Sequence, residues 1–185
     1  FLLEFNNPET MGDMNLLEKM TASLFQSVTT RTAGFATVPQ GDLRESSKLL
    51  GCMLMFIGGS PAGTAGGVKT TTIAMLLLTV LCVLKNKRDT ECFARKIDNN
   101  IVRSGITITM ITLIFLMSGI TALTIFEPGI DFLDLTYEAA SAMGTVGLTA
   151  DLTPILSRGS HVILMILMYV GRTAYYGACI IGKKR

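Results

Sequence analysis

Two short tetrads carry the chemistry in this chain: Thr32-Ala33-Gly34-Phe35 and Thr145-Val146-Gly147-Leu148. A Thr-x-Gly turn can line up backbone carbonyls in place of a potassium ion's hydration shell, because glycine accepts dihedrals that point successive carbonyls one way. A third stretch, GGSPAGTAGGVKTTT at residues 58–72, sets five glycines, a proline and Lys69 between two apolar runs. It is either a phosphate-cradling loop or a break in a membrane-spanning helix. A Walker A loop needs glycine directly before its lysine. The frame GTAGGVKT puts Val68 there, and no strand pattern precedes it. The break is the better reading.

The elements that must position these residues are membrane helices. The chain is 49% hydrophobic, 16% charged and has a mean hydropathy of +0.49, whereas soluble domains carry about a quarter charged residues. A net charge of +2 gives no reason to expect nucleic acid. Cys52, Cys82, Cys92 and Cys179 show no CxxC spacing and no His cluster, so they read as free thiols rather than a zinc or redox site. Opening on FLLEF without an initiator Met, the sequence reads as a piece of a longer protein.

Residues 104–126 hold no charge, and such a helix, roughly 34 Å long, crosses a hydrocarbon core of about 30 Å. Residues 160–182 form a second candidate span, interrupted by His161 and Arg172. The segment between Glu45 and Lys85 contains only Lys48 and Lys69 as charges. As one helix it would run roughly 58 Å, so it must break, and Gly58 to Gly67 is the place. Irregular backbone at membrane depth survives only inside protein or beside a water-filled cavity. Residues 85–103 hold six basic and three acidic residues, and the chain ends in Lys-Lys-Arg. The positive-inside rule therefore puts residues 85–103 and the C-terminus in the cytoplasm, with residues 1–45 and 127–158 outside.

Shifting the chain on itself by 113 residues lays the first tetrad on the second, and Leu54–Gly58 on Leu167–Gly171, without a gap. Each repeat reads as a short helix, a Thr-x-Gly turn, a polar stretch and a spanning helix. Asn15 and Glu18 form a capping box at the start of the first short helix. Asp131 and Asp134 suit the N-terminus of the second. Both are too short to span, so they should be re-entrant, aiming their negative dipole ends at the membrane interior, a field that attracts cations. A pair of plain extracellular loops would need neither dipole-aimed helices nor a repeat. The expected fold is all-α and integral to the membrane, with helix–re-entrant pore loop–helix repeats.

SVTTRTAGFAT, GGSPAGTAGGVKTTT and SAMGTVGLT together resemble the Trk/Ktr/HKT superfamily of potassium transporters, its Ktr-type membrane subunits above all. The resemblance covers essentially the whole chain but only the later half of the family pattern. It implies two of four repeats around a pseudo-fourfold pore. Residues 1–84 would be a partial third repeat, 85–103 a cytoplasmic basic linker and 104–185 the fourth repeat. It also implies a selectivity filter at Thr32–Phe35 and Thr145–Leu148 that holds K⁺ by backbone carbonyls alone. The implied gate comprises Gly58, Gly59, Gly63, Thr64, Gly66, Gly67 and Lys69, with Arg172 near the path below the filter. Lys69 is expected to cap the loop through carbonyls or the Thr64 hydroxyl, or to stand in the path.

By the same resemblance the protein is not an enzyme and binds no cofactor. K⁺ is the transported ion, and sodium coupling is left open. Partners are a second membrane subunit in a homodimer, a cytosolic nucleotide-binding RCK subunit of KtrA or TrkA type, and membrane lipid. The location is the plasma (inner) membrane, crossed several times. TAYYGACIIGKKR departs from the family's usual Gly-Pro-Leu-Thr-like continuation, and Ala36 stands where the family often has Asn. Competing readings are a simple tetrameric P-loop potassium channel, which needs only one filter sequence, and a component of an ATP-driven membrane pump. The pump reading lacks paired intramembrane carboxylates and a true Walker motif.

Overall fold

The computed structural model describes the backbone of residues 1–60, 65–85, 91–92 and 95–182, and side chains within these ranges except at 92, 95 and 174–182. Six helices dominate: α1 (Leu16–Thr29), α2 (Glu45–Phe56), α3 (Thr70–Leu84), α4 (Asn99–Phe126), α5 (Phe132–Gly144) and α6 (Arg158–Gly182). Their ends follow from local sequence. The expected capping box of Asn15 and Glu18 opens α1, with the Asn15 amide donating to the Glu18 carboxylate at 2.8 Å. Asp98 and Asp131 cap α4 and α5 by accepting from Asn100 and Leu133 amides at 3.1 and 3.0 Å.

The basic segment holds more structure than the sequence suggested. Two-residue strands, β1 (Glu91–Cys92) and β2 (Arg95–Lys96), pair antiparallel, and α4 starts at Asn99, inside the 85–103 segment expected to be linker. Apart from this hairpin and one isolated bridge, the described secondary structure is helical, including a short 3-10 turn at Thr153–Ile155.

α4, with 28 residues, is long and apolar enough to cross a membrane. Only 28% of its most apolar stretch is buried, which is too little for the core helix of a soluble protein. Ile111, Ile114, Phe115 and Met117 project outward from it. Its hydroxyls turn back onto their own helix, as with Thr109 to Gly105 O and Thr112 to Ile108 O, at 2.9 and 2.8 Å. That arrangement suits hydrocarbon, where polar groups find partners only within the protein. At about 1.5 Å per residue, α2 and α3 are roughly 18 and 22 Å long, so neither spans alone.

α5 is the centre of the molecule. On one face Leu135, Ala139, Ala142 and Met143 pack with Leu116, Ile120 and Leu123 of α4 and Leu164 and Leu167 of α6. On the other, Tyr137 and Ala140 pack with Cys52 and Met55 of α2. Close approach through small residues drives such packing in lipid, where burial alone gains little. A Cβ on Gly171 of α6 would fall 1.9 Å from the Met143 carbonyl, so only glycine lets α6 lie this close to the end of α5. Lys48 of α2 pairs with Asp134 of α5 at 2.5 Å and ties the two halves together.

The first half has a gap where the second is filled. A cavity of about 250 Å³ is lined by Gln26, Thr30, Leu50, Gly51 and Leu54, among others. Shifted by 113 residues, these become Ala139, Met143, Ile163, Leu164 and Leu167, the side chains with which α4 packs in the second half.

Outside the helices, Glu127 follows α4 and accepts from the Ser157 amide and Ser160 hydroxyl, both at 2.7 Å. The Ser157 amide first, then the serine hydroxyls, hold its carboxyl below the ordinary value.

Candidate ion-conducting site

Both tetrads hang from the C-terminal ends of short helices. After α1, the Ala33 and Gly34 amides reach back to Thr29 O at 3.1 and 3.3 Å. After α5, the Thr145 amide bonds Ala142 O and the Val146 amide bonds Ser141 O, at 3.1 and 2.9 Å. The backbone then alternates in the same way twice. Thr32 and Gly34 have φ of +68° and +76°, and Thr145 and Gly147 have +52° and +92°. Left-handed threonine is an outlier for a β-branched residue, and it occurs here at both positions related by the 113-residue shift. The repeat seen in the letters recurs in the dihedrals.

The two turns face each other. A Cβ on Gly34 would lie 2.3 Å from the Val146 carbonyl oxygen, and one on Gly147 would have Gly34 Cα as its nearest neighbour, at 4.0 Å. Val146 and Leu148 are buried beneath, whereas Ala33, Phe35 and Gly147 are exposed. α1 and α5 end at this place, so the partial negative charge of both dipoles gathers there. Among the described residues no three His, Cys, Asp or Glu side chains converge on a metal-sized site.

The glycine segment lies against the turns. α2 ends at Phe56, and the chain re-enters a helix only at Thr70. Between them Ile57 pairs with Val68, the Val68 amide donates to Phe56 O at 3.2 Å and the Thr70 amide to Gly59 O at 3.3 Å. Gly67 takes φ +68°, and a Cβ on Gly58 would strike Gly66 O at 2.0 Å. The Gly66 amide donates to Thr145 Oγ1 at 3.0 Å. A Cβ on Gly59 would stand 3.8 Å from Thr32 Oγ1. Gly63 and Thr64, named from sequence, lie outside the described residues.

Lys69 is buried, and its Nζ donates to the Ala65 carbonyl within the loop. A cation at membrane depth costs roughly 2.5–3.5 kcal/mol on insertion scales, and a carbonyl partner offsets part of that cost. This matches the capping arrangement expected from sequence. Arg172 is on the exposed surface of α6, close enough to Lys69 for the two cations to repel.

Three groups around the turns were not singled out in the sequence. Thr29 Oγ1 accepts from the Phe35 amide and donates to the Phe35 carbonyl, at 2.9 and 2.6 Å. Gln40 accepts from Tyr137 OH at 2.8 Å and from Gln26 at 2.5 Å, which links α1 to α5. Glu138 is buried in α5 and accepts from the Thr149 hydroxyl. Only Glu138 had a sequence signal, as a carboxylate in the middle of a short apolar helix. The other two are ordinary polar residues whose partners are set by folding.

The family profile described as "TrkH: Cation transport protein" matches residues 1–183. The chain belongs to the TrkH family of cation transport proteins. Ktr system potassium uptake protein B of Bacillus subtilis is 41% identical over 172 residues, covering 93% of this chain and 38% of that protein. Potassium/sodium uptake protein NtpJ of Enterococcus hirae is 35% identical, covering 93% of this chain and 39% of that one. The crystal structure of the potassium transporter TrkH from Vibrio parahaemolyticus matches with a TM-score of 0.75 at 21% identity, over 99% of this chain and 40% of that chain. The fold is therefore that of a TrkH-type transporter. The chain spans about two fifths of the length of these relatives. TrkH-family proteins are cation transporters of membranes, and the relatives named here are transporters rather than enzymes.

Proposed function

We propose that this chain supplies two of four filter segments, and the gate, to a potassium uptake pore. Thr32–Phe35 and Thr145–Leu148 present backbone carbonyls to K⁺. Residues 58–70 obstruct the path beneath them, with Gly58, Gly59, Gly63, Thr64, Gly66 and Gly67 as gate residues and Lys69 and Arg172 as cations beside it. Residues 1–84 are then part of the third repeat, 85–103 a cytoplasmic linker and 104–185 the fourth repeat. The 250 Å³ cavity against α1 and α2 is where a helix upstream of residue 1 packs, as α4 does against α5 and α6. The assembled protein is a homodimer in the plasma (inner) membrane, crossed several times, with an RCK-type nucleotide-binding subunit on its cytoplasmic face. The name of the potassium/sodium uptake relative supports sodium as a second ion.

One observation carries this reading: the hydrogen bond from the Gly66 amide to the Thr145 hydroxyl, which sets the glycine loop against two turns of matching left-handed geometry. A plain outer loop has no reason to meet an interrupted helix in this way. The test is to delete Pro61–Gly67 from the full-length protein and measure K⁺ uptake in cells lacking other potassium systems. Faster uptake that depends less on the regulatory subunit, with K⁺ preference retained, is expected. A correctly inserted deletion variant with wild-type rate and control refutes the gate.

A further inference from the structure

Glu138 brings a carboxyl group into the interior, more than nine-tenths buried, and has no part in the ion path proposed above. Its carboxylate is ringed by donors from one short stretch of chain just beyond the second tetrad. Oε1 accepts from the Thr149 hydroxyl and, at 3.1 Å, from the Ala150 amide. Oε2 accepts from the Thr153 hydroxyl at 3.3 Å. Thr153 also bonds Thr149 at 3.0 Å, and Asp151, at the bend, takes φ +62°. A carboxylate has about four acceptor sites, and Thr149, Ala150 and Thr153 occupy three of them. Residues 149–152 have no helix or sheet ladder of their own, so the carboxyl group is what satisfies the buried Ala150 amide.

The first tetrad is held differently. There the Thr29 hydroxyl clasps both backbone polar groups of Phe35. Under the 113-residue shift Thr29 becomes Ala142, which has no hydroxyl, and Glu138 becomes Phe25, which is exposed. Each turn therefore has one anchor of its own, a hydroxyl at the first and a carboxyl group at the second.

We propose that Glu138 is a positioning residue for ion selection: its carboxylate fixes the outer end of the Thr145–Leu148 segment by clamping residues 149–153. This rests on the filter reading of the tetrads. Without the clamp, Leu148 loses its fixed continuation and the second half of the filter relaxes, while Thr29 still holds the first. The loss falls on discrimination between ions rather than on opening of the pore.

The test uses the full-length protein in cells lacking other potassium systems, with membrane abundance measured for each variant. Glu138→Ala and Thr149→Val should raise the KM for K⁺ about tenfold, the scale expected when a buried hydrogen-bonding group loses its partner. They should also narrow the preference for K⁺ over Na⁺ and leave the maximal rate unchanged. Glu138→Gln keeps an oxygen for Thr149 and Ala150 and should restore part of the KM, which a merely structural loss would not. If Glu138→Ala fails to reach the membrane, Thr149→Val and Glu138→Gln carry the test. Wild-type KM and ion preference in the inserted variants overturn the proposal, as does a fall in maximal rate alone. Gly34→Ala in the same assay separates the two claims. Lost preference there with intact Glu138 and Thr149 variants sinks only the clamp, whereas intact preference in Gly34→Ala and Gly147→Ala sinks the filter reading beneath it.

Discussion

Replacing Gly34 by alanine should damage ion selection more than the same change at Gly147, although the two occupy equivalent places in the repeat. Both have positive φ, +76° and +92°, and a Cβ in the left-handed region costs roughly 1–2 kcal/mol. Their surroundings differ. At Gly34 the new carbon would sit 2.3 Å from the Val146 carbonyl oxygen, which must move, whereas at Gly147 it meets nothing nearer than 4.0 Å. Forced displacement of packed groups adds about 1–3 kcal/mol. Gly34→Ala therefore strains the site by roughly 2–5 kcal/mol in all, and Gly147→Ala by the backbone part alone. With about 1.4 kcal/mol per factor of ten, the extra strain at Gly34 amounts to a further loss of about tenfold in K⁺ over Na⁺ preference. The displaced carbonyl belongs to the opposite tetrad, so one substitution disturbs both. Competition of Na⁺ with K⁺ uptake by the full-length variants measures this. A Gly147 variant as impaired as the Gly34 variant would refute the reasoning, because the facing geometry would then count for nothing.

Gly66→Ala places a Cβ 2.4 Å from Thr145 Oγ1 and should loosen the closed loop, so basal K⁺ flux without the regulatory subunit rises. Wild-type basal flux counts against the latch. Cys92, flanked by the basic segment, should react with a membrane-impermeant thiol reagent only from the cytoplasmic side. Reaction in intact cells reverses the topology. Glu127 is held below the ordinary carboxylate value of 4.5 by Ser157 and Ser160, so its stabilising contribution is present above about pH 4.5 and fades as pH falls through its lowered value. Glu127→Gln should therefore lower the melting temperature of the detergent-solubilised protein at pH 7, and the difference should shrink as pH falls from 4.5 and close once the pH is below the lowered value. A gap that persists in acid rules out the charge as its source.

The break in the 45–85 segment was legible because an unbroken helix would be far too long for a bilayer, and it falls where glycines remove the helix preference. The capping residues Asn15 and Asp131 were legible because capping is local chemistry. The paired tetrads emerged from a repeat in the letters, and the left-handed threonines could not, since nothing in a β-branched residue favours φ above zero. What stayed hidden was contact across the fold. The Gly66–Thr145 bond joins residues 79 apart in sequence, and the Tyr137–Gln40 bond joins residues 97 apart. The hairpin in the basic segment was missed because its two-residue strands are too short to show alternation.

The most direct measurement is anomalous diffraction from crystals of the full-length protein grown in Rb⁺, which substitutes for K⁺ and scatters strongly. Peaks should lie on an axis within coordinating distance of the backbone oxygens of residues 32–35 and 145–148, above the glycine loop, and they should weaken in Gly34→Ala. Ordered Rb⁺ elsewhere in the protein, with none at these carbonyls, would contradict the assignment of the two tetrads as the filter.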